Sequence, residues 1–287
     1  MSKQIIQSIA RNIFFAALLA GSLGIAYYIS NRNEPDNQNA DQILKSISKQ
    51  GLREFIKPGI KYFISYSPSN QLIGFRTHLV AESPDKQSFT IQEIDFLRVP
   101  GYSLALESTA SISNDIKTSE YNSSQRIYHS SATHTTKVHT VLNKNKISLN
   151  LRQKKNRNIT NALKKTGLAP ASYIPEGALH AVLRNTAKTG KVGRFKMIFD
   201  SAQVEFPDLY FNVVKISREE STSKYDKVVM QAHRIGGDDS KTTYFFDKAG
   251  LITKIVDNNS IVHKPATLEE IFKNFPVAKQ LIFKSLQ

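Results

Sequence analysis

The feature that most constrains the fold is a long succession of short segments in which apolar and polar residues alternate. A period of two is typical of a β-strand whose two faces differ in polarity. Seven such segments precede residue 154: 60–66, 72–81, a third from Phe89, a fourth through Leu104 and Ile112, then 119–128, 133–142 and 146–153. Short turns join them, and parallel strands would need long crossovers, so they predict an antiparallel meander.

The second half of the chain predicts more strands around one helix. Residues 154–174 break the alternation and predict a loop or a surface helix. A helix is expected at Ala178–Ala187, where Leu179, Val182 and Leu183 share one face. Five further strands are predicted at 195–199, 210–217, 224–232, 242–247 and 251–256, followed by two short helices, the first capped by Thr267.

Together these patterns predict a mainly β (α+β) fold, with a curved antiparallel sheet or half-barrel and a few packed helices. The strand sets at 60–153 and 190–256 are compatible with one continuous sheet or with two sheets.

An uncharged run near the N-terminus predicts a membrane anchor. Twenty residues, 12–31, carry no formal charge, and as a helix they would span roughly 30 Å, the thickness of a bilayer core. Lys3 and Arg11 precede the run, whereas acidic residues follow it, so the positive-inside rule places the N-terminus in the cytoplasm. A cleaved signal peptide is the alternative, because Gly24 and Ala26 are small residues two apart.

The resulting organisation has three parts. Residues 1–31 form a cytoplasmic stub and a single transmembrane helix, residues 32–42 form a polar linker, and residues 43–287 form a periplasmic or extracellular β-rich domain that opens with a short amphipathic helix.

Positive charge is concentrated in one part of the chain. The net charge is +15, and residues 121–199 contain fifteen Lys or Arg against the single acid Glu176, which is +14. The densest part of this region predicts a site for an anionic partner: Arg152, Lys154, Lys155, Arg157, Lys164 and Lys165. Anionic lipid, an acidic envelope polymer or an acidic face of an envelope protein would each fit. A basic surface that only keeps the domain soluble is the alternative.

The residue inventory favours a protein that is not an enzyme and has no cofactor or metal. The absence of cysteine excludes thiolate ligands and cysteine nucleophiles, and no phosphate loop, serine elbow or zinc-protease motif occurs. His129, His134 and His139 recur every five residues, a spacing that alternates faces within a strand and argues against a shared metal. Nucleic acid is not expected as a partner, because the basic stretch has few aromatic residues for base stacking.

Three segments carry a family resemblance: GIKYFISYSPSNQLIG at 59–74, GALHAVLRNTAKTGKVGRFKMIFDSAQV at 177–204 and TTYFFDKAGLITKIV at 242–256. They resemble the exported, non-catalytic β domain that precedes transglutaminase-like domains in planctomycete-type proteins, and related periplasmic half-barrel domains of unknown function. The resemblance covers most of residues 59–275 and implies a half-open β-barrel of the kind that handles lipids or lipoproteins in the envelope. The transglutaminase Cys-His-Asp triad is not implied, because the chain has no cysteine.

These observations favour a membrane-anchored envelope module that binds an anionic partner, such as lipid, through its basic face. The alternative function is a structural or assembly subunit of an envelope protein complex without a small ligand.

The predicted topology has a direct test. Protease added to the outer side of the membrane should digest the chain from residue 32 onward and spare the residues before the apolar run, as gel mobility of tagged fragments would report. Protection of the whole domain would contradict the orientation, and a mature chain beginning near Tyr27 would indicate a signal peptide.

Overall fold

The protein forms one large antiparallel β-sheet with four α-helices, as seen in a computed structural model that describes residues 35–198, 212–219, 225–233, 240–258 and 260–285. Fourteen strands are hydrogen-bonded in the order β8-β7-β6-β5-β4-β3-β2-β1-β14-β13-β12-β11-β10-β9. The two predicted strand sets therefore belong to one sheet, joined where β1 pairs with β14. The predicted mainly β class with a curved antiparallel sheet is confirmed.

The strands are β1 (Gly59–Tyr66), β2 (Leu72–Glu82), β3 (Ser88–Val99), β4 (Tyr102–Ser113), β5 (Thr118–His129), β6 (Thr133–Asn143), β7 (Lys146–Lys155), β8 (Asn158–Leu168), β9 (Gly193–Met197), β10 (Asn212–Glu219), β11 (Asp226–His233), β12 (Ser240–Phe246), β13 (Ile252–Val256) and β14 (Val262–Ala266). The helices are α1 (Pro35–Gln50), α2 (Leu179–Thr189), α3 (Leu268–Asn274) and α4 (Val277–Ser285). Short 3-10 turns lie at Leu52–Glu54 and Glu176–Ala178.

Two strands of the sheet, β8 and β14, were not predicted from the sequence. β8 occupies much of the segment 154–174, for which a loop or surface helix was predicted, and that prediction is wrong. β8 is the last strand of the sheet and its residues are exposed or only half-buried, so no apolar face is needed to mark it. β14 is short and contains Pro265, a residue that argues against a strand in the interior of a sheet.

The first helix begins earlier than the composition predicts. α1 starts at Pro35, inside the segment expected to be a linker, and proline suits a first helical turn because the missing N–H would have no partner there. The apolar run at 12–31 lies outside the described residues. Within the described ranges, none of the helices is both long and apolar enough to span a bilayer.

The sheet curves around α1 and α2, and we call the face toward these helices the inner face. Phe89 of β3 and Val228 of β11 are separated by five strands in the sheet order, yet both belong to one core cluster with Ile43 of α1 and Leu183 of α2. All four side chains are at most 2% exposed. Strands that lie far apart along the sheet can share a core only if the sheet bends back on itself.

The opposite, outer face carries the two C-terminal helices on only part of its width. Phe75 of β2 is fully buried and stacks on Phe96 of β3, with ring centroids 5.7 Å apart. It also meets the ring of Phe275, beside α3, at a tilt and a centroid distance of 5.6 Å. The predicted cap is confirmed: Thr267 Oγ1 accepts a hydrogen bond from the Glu270 backbone N–H, and the Glu270 carboxylate accepts one from the Thr267 N–H. This cluster spans β1 to β4 and leaves the outer face of β5–β8 uncovered by α3 and α4.

Replacing Phe75 by alanine should lower the free energy of unfolding by about 3–5 kcal/mol, because it removes a fully buried ring and leaves a cavity beneath α3. Phe283→Ala on α4 is the matched control, since that ring is 55% exposed, and it should cost less than about 1 kcal/mol. Urea unfolding measures both, and equal losses would contradict the proposed docking of the C-terminal helices on the sheet.

Two candidate sites on opposite faces of the sheet

A polar trough of about 650 Å³ lies on the outer face of β3–β7. The strand register places one row of side chains across the trough, from β4 to β7. In order, the row consists of Glu107 (β4), Ser124 (β5), Lys137 (β6) and Arg152 (β7), each directly opposite the next. The next row consists of Thr109, Asn122, His139 and Asn150. These outer-face rows alternate with inner-face residues such as Val138 and Leu151, which are buried.

The Lys137–Arg152 pair is the unusual feature of the trough. Side chains directly opposite in an antiparallel pair have Cβ atoms about 4.5–5.5 Å apart, and like charges there are destabilising. Both side chains are exposed, and no described carboxylate lies within salt-bridge distance of either. Glu107, the acid that lines the trough, is already engaged: Arg126 Nη1 donates to its Oε1 at 2.8 Å. The trough therefore holds positive charge without an acidic partner in the described part of the chain.

The structure divides the six predicted basic residues between two faces and a turn. Arg152, Lys154 and Lys164 lie on the outer face, with Arg152 opposite Ala162 and Lys164 opposite Asn150 on the neighbouring strand. By alternation along the strands, Lys155 and Lys165 lie on the inner face, and Arg157 is in the β7–β8 turn. Lys137, which the sequence analysis did not single out, joins the outer-face set.

We use the name outer basic patch for Lys137, Arg152, Lys154 and Lys164. All four side chains are exposed. They come from three neighbouring strands, and the strand register brings them to one face. The signal that could have identified Lys137 is the β6–β7 hairpin, because its tight turn places Lys137 opposite Arg152.

Two of the sequence-spaced histidines do approach each other. His129 and His134 lie on adjacent strands of the β5–β6 hairpin, with ring centroids 5.7 Å apart, so the single-strand argument against convergence was wrong for this pair. His139 lies separately in the trough, with Nε2 3.5 Å from Glu120 Oε1. Within the described residues these histidines are not part of any three-ligand cluster.

A second candidate site lies on the inner face, where α2 meets β2 and β3. His78 and Glu93 are directly opposite each other in the sheet, and His180 reaches them from the first turn of α2. Glu93 Oε1 is 2.9 Å from His78 Nδ1 and 3.2 Å from His180 Nε2, and both ring nitrogens can donate to it. The two imidazole rings are in contact, with centroids 4.1 Å apart and ring planes tilted by 39°. We call these three residues the His-Glu-His cluster.

Local packing sets the position of His180. Gly177 precedes α2, and a Cβ there would lie 3.0 Å from Ile112 Cγ2 and 3.2 Å from Ala110 Cβ, so glycine lets the chain approach β4 closely. Further along, in α2, Val182 and Leu183 are completely buried against the inner face. The start of α2 is therefore held against the sheet beside His78.

The environment of the His-Glu-His cluster favours an ionised carboxylate and an uncharged His180. Burial opposes ionisation of Glu93, but the hydrogen bonds from His180 and His78 outweigh it and hold the pKa of Glu93 well below its usual range. Burial, followed by repulsion from His78, lowers the pKa of His180 to about 4. The His180 imidazole is therefore neutral at neutral pH and retains a lone pair for a metal ion or a proton.

The cluster borders a cavity of about 130 Å³, which His78 and His180 help to line. Lys61, opposite His78 on β1, and Arg184 of α2 line the same cavity. Arg184 donates to the backbone oxygens of Phe55 and Ala249, at 3.1 and 3.3 Å. Lys57 also lines it, so the cavity offers two imidazoles and three cationic side chains.

Sequence reasoning did not identify this cluster. His78 and Glu93 are separated by 15 residues and Glu93 and His180 by 87, with no short motif linking them. Strand pairing could have placed His78 opposite Glu93, but the position of His180 depends on how α2 packs.

Next to the cluster lies a largely buried ion pair, Arg76–Asp95, whose contribution to stability can be measured by replacing Arg76. Arg76 Nε and Nη2 donate to Asp95 Oδ2 at 3.1 and 2.5 Å, with the side chains 24% and 11% exposed. Arg76→Met should lower the free energy of unfolding by about 3 kcal/mol, because it leaves the Asp95 carboxylate buried without its cation. Arg218→Met is the control, since the Arg218–Asp226 pair is 41% and 36% exposed, and it should cost about 1 kcal/mol or less. Chemical denaturation measures both, and an equal cost would show that the Arg76 pair is effectively solvated.

Comparison with known proteins identifies the fold but no family. No family model and no curated protein matches the sequence. Among solved structures, the chain is similar to a β-barrel-like protein of the domain of unknown function DUF1849 from Brucella abortus, with a TM-score of 0.51 and 10% identity over 73% of this chain and 96% of that one. At this identity the similarity concerns the fold alone. It agrees with the β-barrel-like part of the resemblance proposed from sequence, while the association with transglutaminase-like domains stays a prediction.

Proposed function

We propose that this protein is a non-enzymatic, membrane-anchored envelope module that binds an anionic partner in the outer trough, through the outer basic patch. The observation that carries the proposal is the exposed Lys137–Arg152 pair, two cations held directly opposite each other with no described carboxylate beside them. A bound anion would relieve their repulsion and convert an unfavourable pair into an attractive site.

The trough lining favours a hydroxylated polyanion over an acyl chain. Thr109, Asn122, Ser124 and Asn150 offer hydroxyl and amide groups along the trough floor, and such groups hydrogen-bond to sugars or phosphodiesters. The inner face of the sheet is occupied by α1 and α2, so the apolar concavity that a lipid-handling half-barrel would use is filled by the protein's own core. We therefore favour an acidic glycan or a phosphate-bearing envelope polymer.

The wider charge distribution supports the same partner. The +14 region at 121–199 contains β6–β8 and most of β5, the strands whose outer face α3 and α4 leave uncovered. A concentration of one sign on one part of a surface attracts a polyanion over several ångströms and raises the rate of encounter. Residues 12–31 would hold the domain at the membrane surface, on the periplasmic or extracellular side, where such polymers lie.

An assembly subunit is the second candidate, and strand β8 supports it. β8 pairs only with β7 among the described strands, so its outer edge can add a strand from another protein. Ile159 and Leu168 on this strand are 61% and 67% exposed. Replacing both by serine, which leaves the charge unchanged, should abolish co-purification with a partner if this candidate is right, and should leave polyanion binding intact if the first is right.

Neutralising the outer basic patch tests the favoured proposal. The variant Lys137→Gln/Arg152→Gln/Lys154→Gln/Lys164→Gln should bind a model polyanion, such as heparin or a teichoic-acid-type polymer, at least about tenfold more weakly, because each cation near an anionic surface contributes about 1 kcal/mol and tenfold corresponds to 1.4 kcal/mol. Added salt should weaken the wild type in the same direction. Equilibrium binding at low ionic strength is the measurement.

The matched control removes four exposed lysines from elsewhere: Lys45→Gln/Lys49→Gln/Lys248→Gln/Lys273→Gln. Both variants lose four of the fifteen net positive charges and carry +11. The control should retain affinity within about twofold of the wild type if position matters more than net charge. If both variants bind the polyanion equally weakly, the affinity depends on net charge and not on the position of the patch, which would contradict the proposal.

A further inference from the structure

We propose that the His-Glu-His cluster binds a divalent transition metal ion of the zinc class, with an open coordination position toward the neighbouring cavity. The site is separate from the outer trough, because His78 and Glu93 lie on the inner face and the outer basic patch lies on the other. The inference therefore does not depend on the polyanion proposal.

The spacing of the donor atoms fits a metal ion. His78 Nδ1, Glu93 Oε1 and His180 Nε2 all lie within 4.8 Å of one another, and the two contacts to Oε1 are 2.9 and 3.2 Å. Tetrahedral zinc with bonds of about 2.0–2.1 Å separates neighbouring donor atoms by about 3.3 Å. Small side-chain rotations would turn the three atoms from a hydrogen-bonded group into one face of a coordination tetrahedron.

The donor set selects the class of metal. Two imidazole nitrogens and one carboxylate oxygen suit zinc and its first-row neighbours better than magnesium or calcium, which prefer oxygen ligands throughout. Before an ion binds, His78 Nδ1 and His180 Nε2 can donate protons to Glu93 Oε1, and on metal binding each ring would carry its proton on its other nitrogen. The nearby Asp95 is already paired with Arg76.

The three ligands are held in place before any ion arrives. β2 and β3 position His78 and Glu93 as a cross-strand pair, and α2 is held against the sheet by its buried face. The side chains of His78, Glu93 and His180 are 10%, 36% and 18% exposed, so the cluster is mostly enclosed but accessible. A metal bound here would link α2 to the sheet and stabilise the folded state.

The cavity indicates what would complete the coordination sphere. Its volume of about 130 Å³ corresponds to roughly four water molecules, so it admits water or a small anion. With only Glu93 to offset the metal's charge, and with Lys61 and Arg184 lining the same cavity, the open position would favour a small anion such as acetate or phosphate over a neutral ligand.

Metal binding can be measured directly on the purified chain. Protein stripped with a chelator should bind one Zn²⁺ per chain in calorimetry, and zinc should raise the thermal unfolding midpoint. Co²⁺ should give the intense visible absorption of a four-coordinate site, and X-ray absorption of the zinc form should show imidazole and oxygen ligands. Glu93→Gln and His180→Gln should each weaken binding by at least about tenfold, since even residues that only support a metal ligand typically cost 10–100-fold.

The control is a chain lacking two surface histidines, His129→Gln/His134→Gln, which should bind zinc like the wild type. Circular dichroism identifies any ligand variant that fails to fold, and the wild-type cobalt and X-ray spectra then decide the question alone. Failure of the wild type to bind zinc, or loss of binding in the surface control with retention in Glu93→Gln and His180→Gln, would overturn the proposal and leave the cluster as a hydrogen-bonded link between α2 and the sheet.

Discussion

The burial of α1 and α2 against the inner face is the interaction on which the rest of the structure depends. Ile43, Ile47, Val182 and Leu183 are at most 2% exposed, and each large apolar side chain buried this way contributes about 1.5–3 kcal/mol. A long antiparallel sheet has no intrinsic reason to bend around a particular centre. Two helices that must hide an apolar face supply the reason, because strands from both halves of the sheet can cover them only by curving.

This arrangement gives the two faces of the sheet different roles. The inner face has little contact with water where α1 and α2 cover it, so a charged or titratable group there needs a partner, as Arg76 has in Asp95 and Glu93 has in the two histidines. The outer face beyond the reach of α3 and α4 carries no such restriction. Rows of serine, threonine, asparagine and basic residues can therefore face solvent there without affecting the core. A surface for a polar partner and an enclosed metal-type cluster can then coexist on one sheet.

The sequence predicts the parts of the fold that are fixed by local patterns. Alternation from Ile60 identifies the first seven strands to within a few residues, and the Thr267 cap predicts the start of α3, because period-two burial and helix capping are both local. β8 was missed because an edge strand needs no apolar face, and β14 because Pro265 is unusual in a paired strand. The sequence also identifies the basic region. Which of its residues share a face of the sheet depends on the strand register, and the register places the neighbours Lys164 and Lys165 on opposite faces. The His-Glu-His cluster depends on tertiary packing of α2, and no local pattern encodes it.

The central claim is that the anionic partner binds the outer face of β5–β8 and leaves the inner face untouched. Lysine acylation read by mass spectrometry, with and without a saturating polyanion at low salt, tests it residue by residue. The account predicts strong protection of Lys137, Lys154 and Lys164 on binding, while Lys45, Lys49, Lys248 and Lys273 react as in the free protein. Uniform protection of all these lysines, or protection confined to Lys61 beside the inner cavity, would contradict it.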